Sequence, residues 1–212
     1  MQKQLIKVVA ASLLGDAHIE KSQNGNARFS LKLISDHKDH LFNIGEYLAE
    51  LTKVSTYTTE ATQYEIKGKM CNIKETTTIR TMAHPMYTKI HERMYLNRIK
   101  RVDPHYLTLI DAEFMAIWYM QDGYLHFPKD CDKPTPGFVL CTDNFTYGDQ
   151  MLLREAIKEK TGFVFNVQRR GLNSHGEQAY RLYMTRKQTK DFAKFLAPHI
   201  QPSFMYKIDI ER

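Results

Sequence analysis

Apolar positions recur with a helical period over Lys7–Asp16, where Val8, Val9, Leu13 and Leu14 surround the small residues Ala10, Ala11, Ser12 and Gly15. Side chains that small let a second helix come very close, because nothing long stands between the two backbones. Glu113–Gln121 repeats the theme in EFMAIWYMQ, with Ala116 as its small residue and Asp122-Gly123 after it. Each of these short helices delivers an aspartate at its C-terminal tip.

After each helix the period changes to two, the mark of strands with one buried face. Over Arg28–Ile34, Arg28, Ser30 and Lys32 alternate with Phe29, Leu31 and Leu33, which predicts a strand apolar on one side and basic on the other. Further strands are predicted over Tyr64–Met70, with Glu65, Lys67 and Lys69 on one face, and over Thr76–Thr81, Gly137–Thr142, Phe163–Arg169 and Gln178–Met184. Antiparallel sheets with one solvated face give this alternation. Amphipathic helices are predicted over Asp39–Thr52, Pro85–Asn97, Gly148–Lys160 and Lys187–Leu196, with Thr185 and Gln188 as a capping box for the last.

The order helix, strands, helix, strands, helix therefore occurs twice, and the two aspartates lie 106 positions apart in 212 residues. This predicts an α/β (α+β) molecule with pseudo-twofold symmetry: residues 1–97 and 109–212 form the halves and 98–108 connects them.

Composition narrows the class. A hydrophobic fraction of 42% beside 25% charged residues, with 12 Tyr and 11 Phe, supplies an ordered core and excludes a chain disordered throughout. The apolar runs Leu5–Leu14 and Phe114–Met120 are shorter than the roughly 20 residues that cross a bilayer, so no membrane span is expected. Without a signal-peptide pattern the chain reads as intracellular, its compartment left open. Cys71, Cys131 and Cys141 form neither a disulfide framework nor a CxxC pair and read as packing residues. The nine histidines are scattered without zinc-like spacing, and Trp118 is assigned to packing. The net charge is +6, with 16 basic and 11 acidic residues in Met1–Tyr106, so most of the excess lies in the first half. A basic, half-exposed sheet suits a long anion.

Two acids at the tips of closely packed helices repel each other, and a divalent cation makes their proximity useful. Carboxylates without sulfur or imidazole nearby favour Mg²⁺ or Mn²⁺ over zinc.

The segments AASLLGDAHI and MAIWYMQDGYL resemble the two signature helices of the LAGLIDADG homing endonucleases, particularly the single-chain, two-motif kind encoded within introns. The closing segment PSFMYKI also looks like the family's. This resemblance implies two αββαββα halves with saddle-shaped antiparallel sheets, and a monomer that hydrolyses both strands of duplex DNA at a long, asymmetric site. It gives the metal-binding roles to Asp16, before Ala17, and Asp122, before Gly123; Gln121 stands where many members have a first aspartate. It also places Lys100, in RIKRVDP, and Lys207, in FMYKI, beside the cleavage centre, where they hold water or neutralise the phosphate. The implied DNA-contacting residues are Arg28, Ser30, Lys32, Lys67, Lys69, Arg80, Gln168, Arg170 and Arg181. Related chains include RNA-binding maturases that assist intron splicing, so structured intron RNA is an alternative partner, as is DNA bound without cleavage.

Overall fold

The computed structural model describes residues 2–21, 25–66, 69–128, 135–173 and 176–211, the side chains of Ile66 and Lys69 excepted. The chain runs α1 (Gln2–Leu14), β1 (His18–Glu20), β2 (Arg28–Ile34), α2 (Lys38–Ala49), β3 (Val54–Thr59), β4 (Thr62–Ile66), β5 (Lys69–Ile73), β6 (Thr76–Thr81), α3 (Pro85–Met94), β7 (Tyr95–Leu96) and β8 (Ile99–Lys100). It continues through α4 (Pro104–Leu107), α5 (Ala112–Asp122), β9 (Gly123–His126), β10 (Gly137–Leu140), α6 (Tyr147–Thr161), β11 (Phe165–Leu172), β12 (Gln178–Met184) and α7 (Thr189–Leu196), then tight helical turns ending in Pro202–Lys207.

α1 and α5 lie at the centre. Every residue from Phe114 to Gln121 is buried, and so is every residue from Val8 to Leu14. A helix apolar on all sides belongs in a core. The two helices run parallel. Near their starts the Lys7 ammonium meets Asp111 at 2.8 Å and Glu113 at 2.6 Å, and near their ends Gly15 lies against Gln121. A Cβ at Gly15 would fall 2.6 Å from Gln121 Oε1, so glycine is what permits the approach. Both C-terminal ends, each with unpaired carbonyls and a partial negative charge, therefore point to one place.

One sheet of antiparallel strands has the order β1-β2-β6-β3 and the other β9-β10-β12-β11. Numbered within its own half, each reads first-second-fourth-third, so the topology repeats. α2 covers the first sheet and α6 the second. In the second half, Phe192 packs its ring 4.9 Å from both Phe138 and Phe163, with Tyr119 beside them. Trp118 is fully buried, as its apolar setting predicted. No described helix is long and apolar enough to cross a membrane.

Three local expectations are corrected. Tyr64–Met70 is not one strand: Ile66 pairs with Lys69, and Thr62–Ile66 and Lys69–Ile73 form a hairpin added to the first half. Glu65, Lys67 and Lys69 continue one alternation in the sequence, so two paired strands read like a single one. Lys67 lies outside the described residues, as do Cys131, His175 and the side chain of Lys69. The capping box is not at Thr185, whose side chain makes no cap bond. Instead Gln188 accepts from Val164 N at 2.8 Å and donates to Gly162 O at 3.1 Å, closing the link between α6 and β11. The box present is at α6, where Thr146 Oγ1 accepts from Asp149 N and Asp149 Oδ2 accepts from Thr146 N, both at 3.2 Å. Lastly, β1, β3, β7, β8 and β9 were not expected, and the helix expected over Pro85–Asn97 ends at Met94, where β7 begins; β1, β7, β8 and β9 are two to four residues long, too short to show a period.

Candidate active site

The two acids stand where α1 and α5 end. Asp122 is the last residue of α5, its carbonyl fixed by Cys141 N at 2.8 Å. Asp16 lies two residues beyond α1, its own N–H donating to Gln121 Oε1 at 3.0 Å across the helix pair. Both tips are closed by backbone, Gly15 N and Ala17 N returning to Ser12 O at 3.1 and 3.0 Å in the first, but only the first adds a side chain from the neighbouring helix to the N–H of its acid.

Two lysines fill the same place. Lys100, at the end of the β7–β8 hairpin, donates to Gly15 O at 3.0 Å and Ala17 O at 2.8 Å. Lys207, in the closing turn, donates to Met120 O at 2.7 Å and lies 5.1 Å from the Phe204 ring centre. Carbonyls left over at helix C-termini attract cations, so each lysine caps one tip while staying beside both acids.

The four charges feel one another. Burial pushes the Asp122 carboxyl up to about 7, and the Asp16 charge adds to the rise against the pull of Lys100 and Lys207. Asp16 keeps an exposed surface, yet the protein around it removes enough water to raise its pKa against Lys207 and Lys100. Burial likewise lowers both lysines to about 8, and both acids oppose that fall. Among the described residues no group of three or more His, Cys, Asp or Glu side chains converges as a metal cage. A cleft of about 360 Å³ opens beside Asp16, lined by Lys32, His37, Gln121, Phe204 and Lys207. A second of about 460 Å³, lined by Gly123, Tyr124, Phe127 and Tyr206, opens on the other side of Lys207.

The sheets carry the remaining predicted residues. Ser30 pairs with His18 and Arg80, and Arg80 with Ser55, giving a row across the first sheet. Arg28 and Lys32 are exposed, but Ser30 is only 1% exposed. The alternation was read correctly and the exposure was not, because a short side chain on an inner strand is roofed by longer neighbours. Arg28 and Arg80 are both tied to Glu20, at 2.7 and 3.3 Å, and His18 bonds the same carboxylate at 3.1 Å. On the second sheet Gln168 and Arg170 are exposed, and Gln168 pairs in register with Arg181. Arg181 is held by Asp143 at 2.7 Å and by Tyr124 at 3.4 Å. Glu20 and Asp143 escaped the sequence reading; an acid opposite an arginine shows only once strand register is known.

The same architecture occurs in the homing endonuclease I-WcaI bound to its DNA recognition sequence, which matches with a TM-score of 0.73 at 21% identity over 97% of this chain and 86% of that one. I-SmaMI bound to cleaved DNA matches with a TM-score of 0.52 at 9% identity, over 94% of this chain and 85% of that one. The fold is therefore that of LAGLIDADG homing endonucleases. The chain belongs to the LAGLIDADG DNA endonuclease family, whose model matches residues 6–192. Among curated proteins it is 24% identical to the cytochrome b mRNA maturase bI2 of Debaryomyces hansenii, over 98% of this chain and 74% of the maturase. It is also 24% identical to the RecA protein of Mycobacterium shimoidei, over 98% of this chain but only 47% of that protein.

Proposed function

We infer that the protein is a site-specific double-strand DNA endonuclease that hydrolyses phosphodiesters with a divalent cation, and that it acts in intron homing. The observation carrying this is the meeting of Asp16, Asp122, Lys100 and Lys207 at the paired ends of α1 and α5. Family membership supports nuclease chemistry, and the DNA-bound endonucleases of the same fold support duplex DNA as the partner.

The donor set fits Mg²⁺. Two carboxylates offer hard oxygen ligands, and the Asp16 charge adds to burial in opposing ionisation of Asp122, a cost that a bound cation would relieve. A divalent ion held there supplies Lewis-acid activation of water and charge stabilisation at the scissile phosphate. The protein supplies the positions. Lys100 spends two of its three N–H donors on Gly15 O and Ala17 O, leaving one for water or a phosphate oxygen; Lys207 spends one on Met120 O, leaving two. Both are mostly protonated at pH 7, since each titrates at about 8. They neutralise charge that grows as the phosphate is attacked. Arg28, Lys32, Arg80, Gln168, Arg170 and Arg181 face the duplex along the two sheets, basic groups holding phosphates and amide or guanidinium groups reading base edges. Lys67 and Lys69 are carried over as further contacts on the family resemblance alone, and Ser30, only 1% exposed, contributes least. The work is done by a monomer, because one chain holds both acids.

The maturase relative favours a second reading, in which the same basic sheets hold structured intron RNA. Incubating the chain and its Asp16→Asn/Asp122→Asn variant with a randomised duplex library and Mg²⁺ separates the two. Discrete cuts made only by the parent support the nuclease. DNA retained uncut points to a non-cleaving binder, and the absence of both cutting and retention favours intron RNA.

A further inference from the structure

Behind Asp16 lies a chain of side chains that no step above uses. Gln121 is 8% exposed and bridges two partners: its Oε1 accepts from Asp16 N at 3.0 Å, and its Nε2 faces His40 Nε2 at 3.3 Å. The first bond fixes which end of the amide is oxygen. Nε2 is then a donor, so His40 accepts through Nε2 and carries its proton on Nδ1. That buried Nδ1 has no partner among the described residues, and the His40 ring is fully buried. An inner donor left unbonded is a cost to folding.

The histidine itself is held from the far end of the chain. It stands on α2 next to Asp39, whose carboxylate accepts from Ser203 N at 3.0 Å and Ser203 Oγ at 2.6 Å. The His40 ring meets the Phe204 ring edge-on at 5.6 Å, and His37 stacks on Phe204 at 3.9 Å. Lys207 belongs to that same turn.

We propose that Gln121 and His40 are positioning residues that set Asp16, so that the two acids of the centre are supported unequally. Asp16 lies outside its helix; its flanking residues return to Ser12 O, but its own N–H is held by this cross-helix brace. Asp122 is held within α5 and by Cys141 N, with no counterpart of the brace, since the residue before Asp16 is Gly15. Removing the brace therefore loosens one acid and spares the other. The inference rests on the nuclease reading for its kinetic form, in which loss of one acid's position slows one strand's cut more than the other's.

The test uses Gln121→Met, which keeps length and loses both bonds, and Gln121→Glu, which keeps an acceptor for Asp16 N. A plasmid bearing the target is followed from supercoiled to nicked to linear. The expected result is at least a tenfold larger loss in the second cut than in the first for Gln121→Met, partly restored in Gln121→Glu. A second readout needs no cleavage: the Asp16 amide resonance should move to the range of an N–H without a protein acceptor in Gln121→Met and stay in the hydrogen-bonded range in Gln121→Glu, and Mn²⁺ should raise the melting temperature less in the former. Equal slowing of both cuts, with an unmoved Asp16 amide and an undiminished Mn²⁺ shift, overturns the proposal. If the parent fails to cut any duplex, the nuclease reading falls, and the amide and Mn²⁺ measurements still decide the brace.

Discussion

The two halves share one topology, yet they treat their functional charges differently. In the first half Glu20 gathers His18, Arg28 and Arg80 around one carboxylate, and Asp16 lies two residues beyond the end of its helix. In the second half a single arginine among the described residues, Arg181, pairs with Asp143, and Asp122 is built into the last turn of α5. Repetition of a fold fixes where a side chain starts. What it bonds and how dry it becomes are set by neighbours that the repeat does not copy. The raised pKa of Asp122, at about 7, is the largest sign of this, because burial and the Asp16 charge act on it together.

The strongest way to break the comparison is to remove the acids one at a time. Asp16→Asn and Asp122→Asn should each lower double-strand cleavage by about 10²–10³-fold or more, the scale for losing one group that stabilises transition-state charge. The expected difference lies in folding: Asp122→Asn should stabilise the metal-free protein at pH 8, since it removes the acid whose ionisation burial opposes most. Cleavage rates beside thermal melts of both variants check this, and parental cleavage by either variant removes that acid from the mechanism.

A pH series sharpens the same point. The folded pKa of Asp122 is raised from 3.8 to about 7, so between those values the native state binds more protons than the unfolded chain. Stability of the metal-free protein contributed by this group therefore falls as pH rises through about 4 to 7 and levels off above. Asp122→Asn should flatten that decline. Added Mg²⁺ competes with protons for the carboxylate, so it should raise the melting temperature by several degrees more at pH 8 than at pH 5. An equal Mg²⁺ effect at both values would contradict the assignment of Asp122 as a ligand.

The arginine clamps predict a smaller difference. Glu20→Gln releases His18, Arg28 and Arg80, whereas Asp143→Asn releases Arg181, and each adds one unit of net positive charge. Both should tighten binding to duplex of unrelated sequence several-fold, Glu20→Gln more, with a steeper salt dependence of about one further counterion for each new phosphate contact. Fluorescence anisotropy at several salt concentrations measures it. Unchanged salt slopes would mean that these arginines do not face the phosphates.

How much of this was legible depended on distance along the chain. The acid-bearing helices showed themselves because their small and apolar residues are consecutive, and Arg28–Ile34, Thr76–Thr81 and Gln178–Met184 matched their strands because a period of two is local. Asp16 and Asp122 became a pair only through the repeat, and the two lysines through the family resemblance. The brace was hidden for a physical reason: Gln121 reaches His40 across 81 positions and Asp39 reaches Ser203 across 164. Nothing periodic marks such bonds. Gly15 was the available clue, since a glycine beside a helix tip leaves room that some other side chain fills.

The smallest effect tests the two helix caps, where pattern and structure part. Thr146 and Thr185 both precede helical turns and both have a partner three positions on, Asp149 and Gln188. Only Thr146 makes the reciprocal bonds; Gln188 is drawn to Val164 and Gly162 because the link between α6 and β11 leaves a donor and an acceptor there. Thr146→Ala should cost about 1 kcal/mol, the usual worth of an N-cap oxygen, and lower the melting temperature by about 2–4 °C. Thr185→Ala should stay within about 0.5 kcal/mol, as expected where no side-chain bond is lost. Equal losses in urea unfolding would show that threonine helps both turns through its backbone preference. A loss confined to Thr146→Ala assigns the stabilisation to the hydroxyl bond, and makes the identity of the third residue, acid or amide, subordinate to what competes for it.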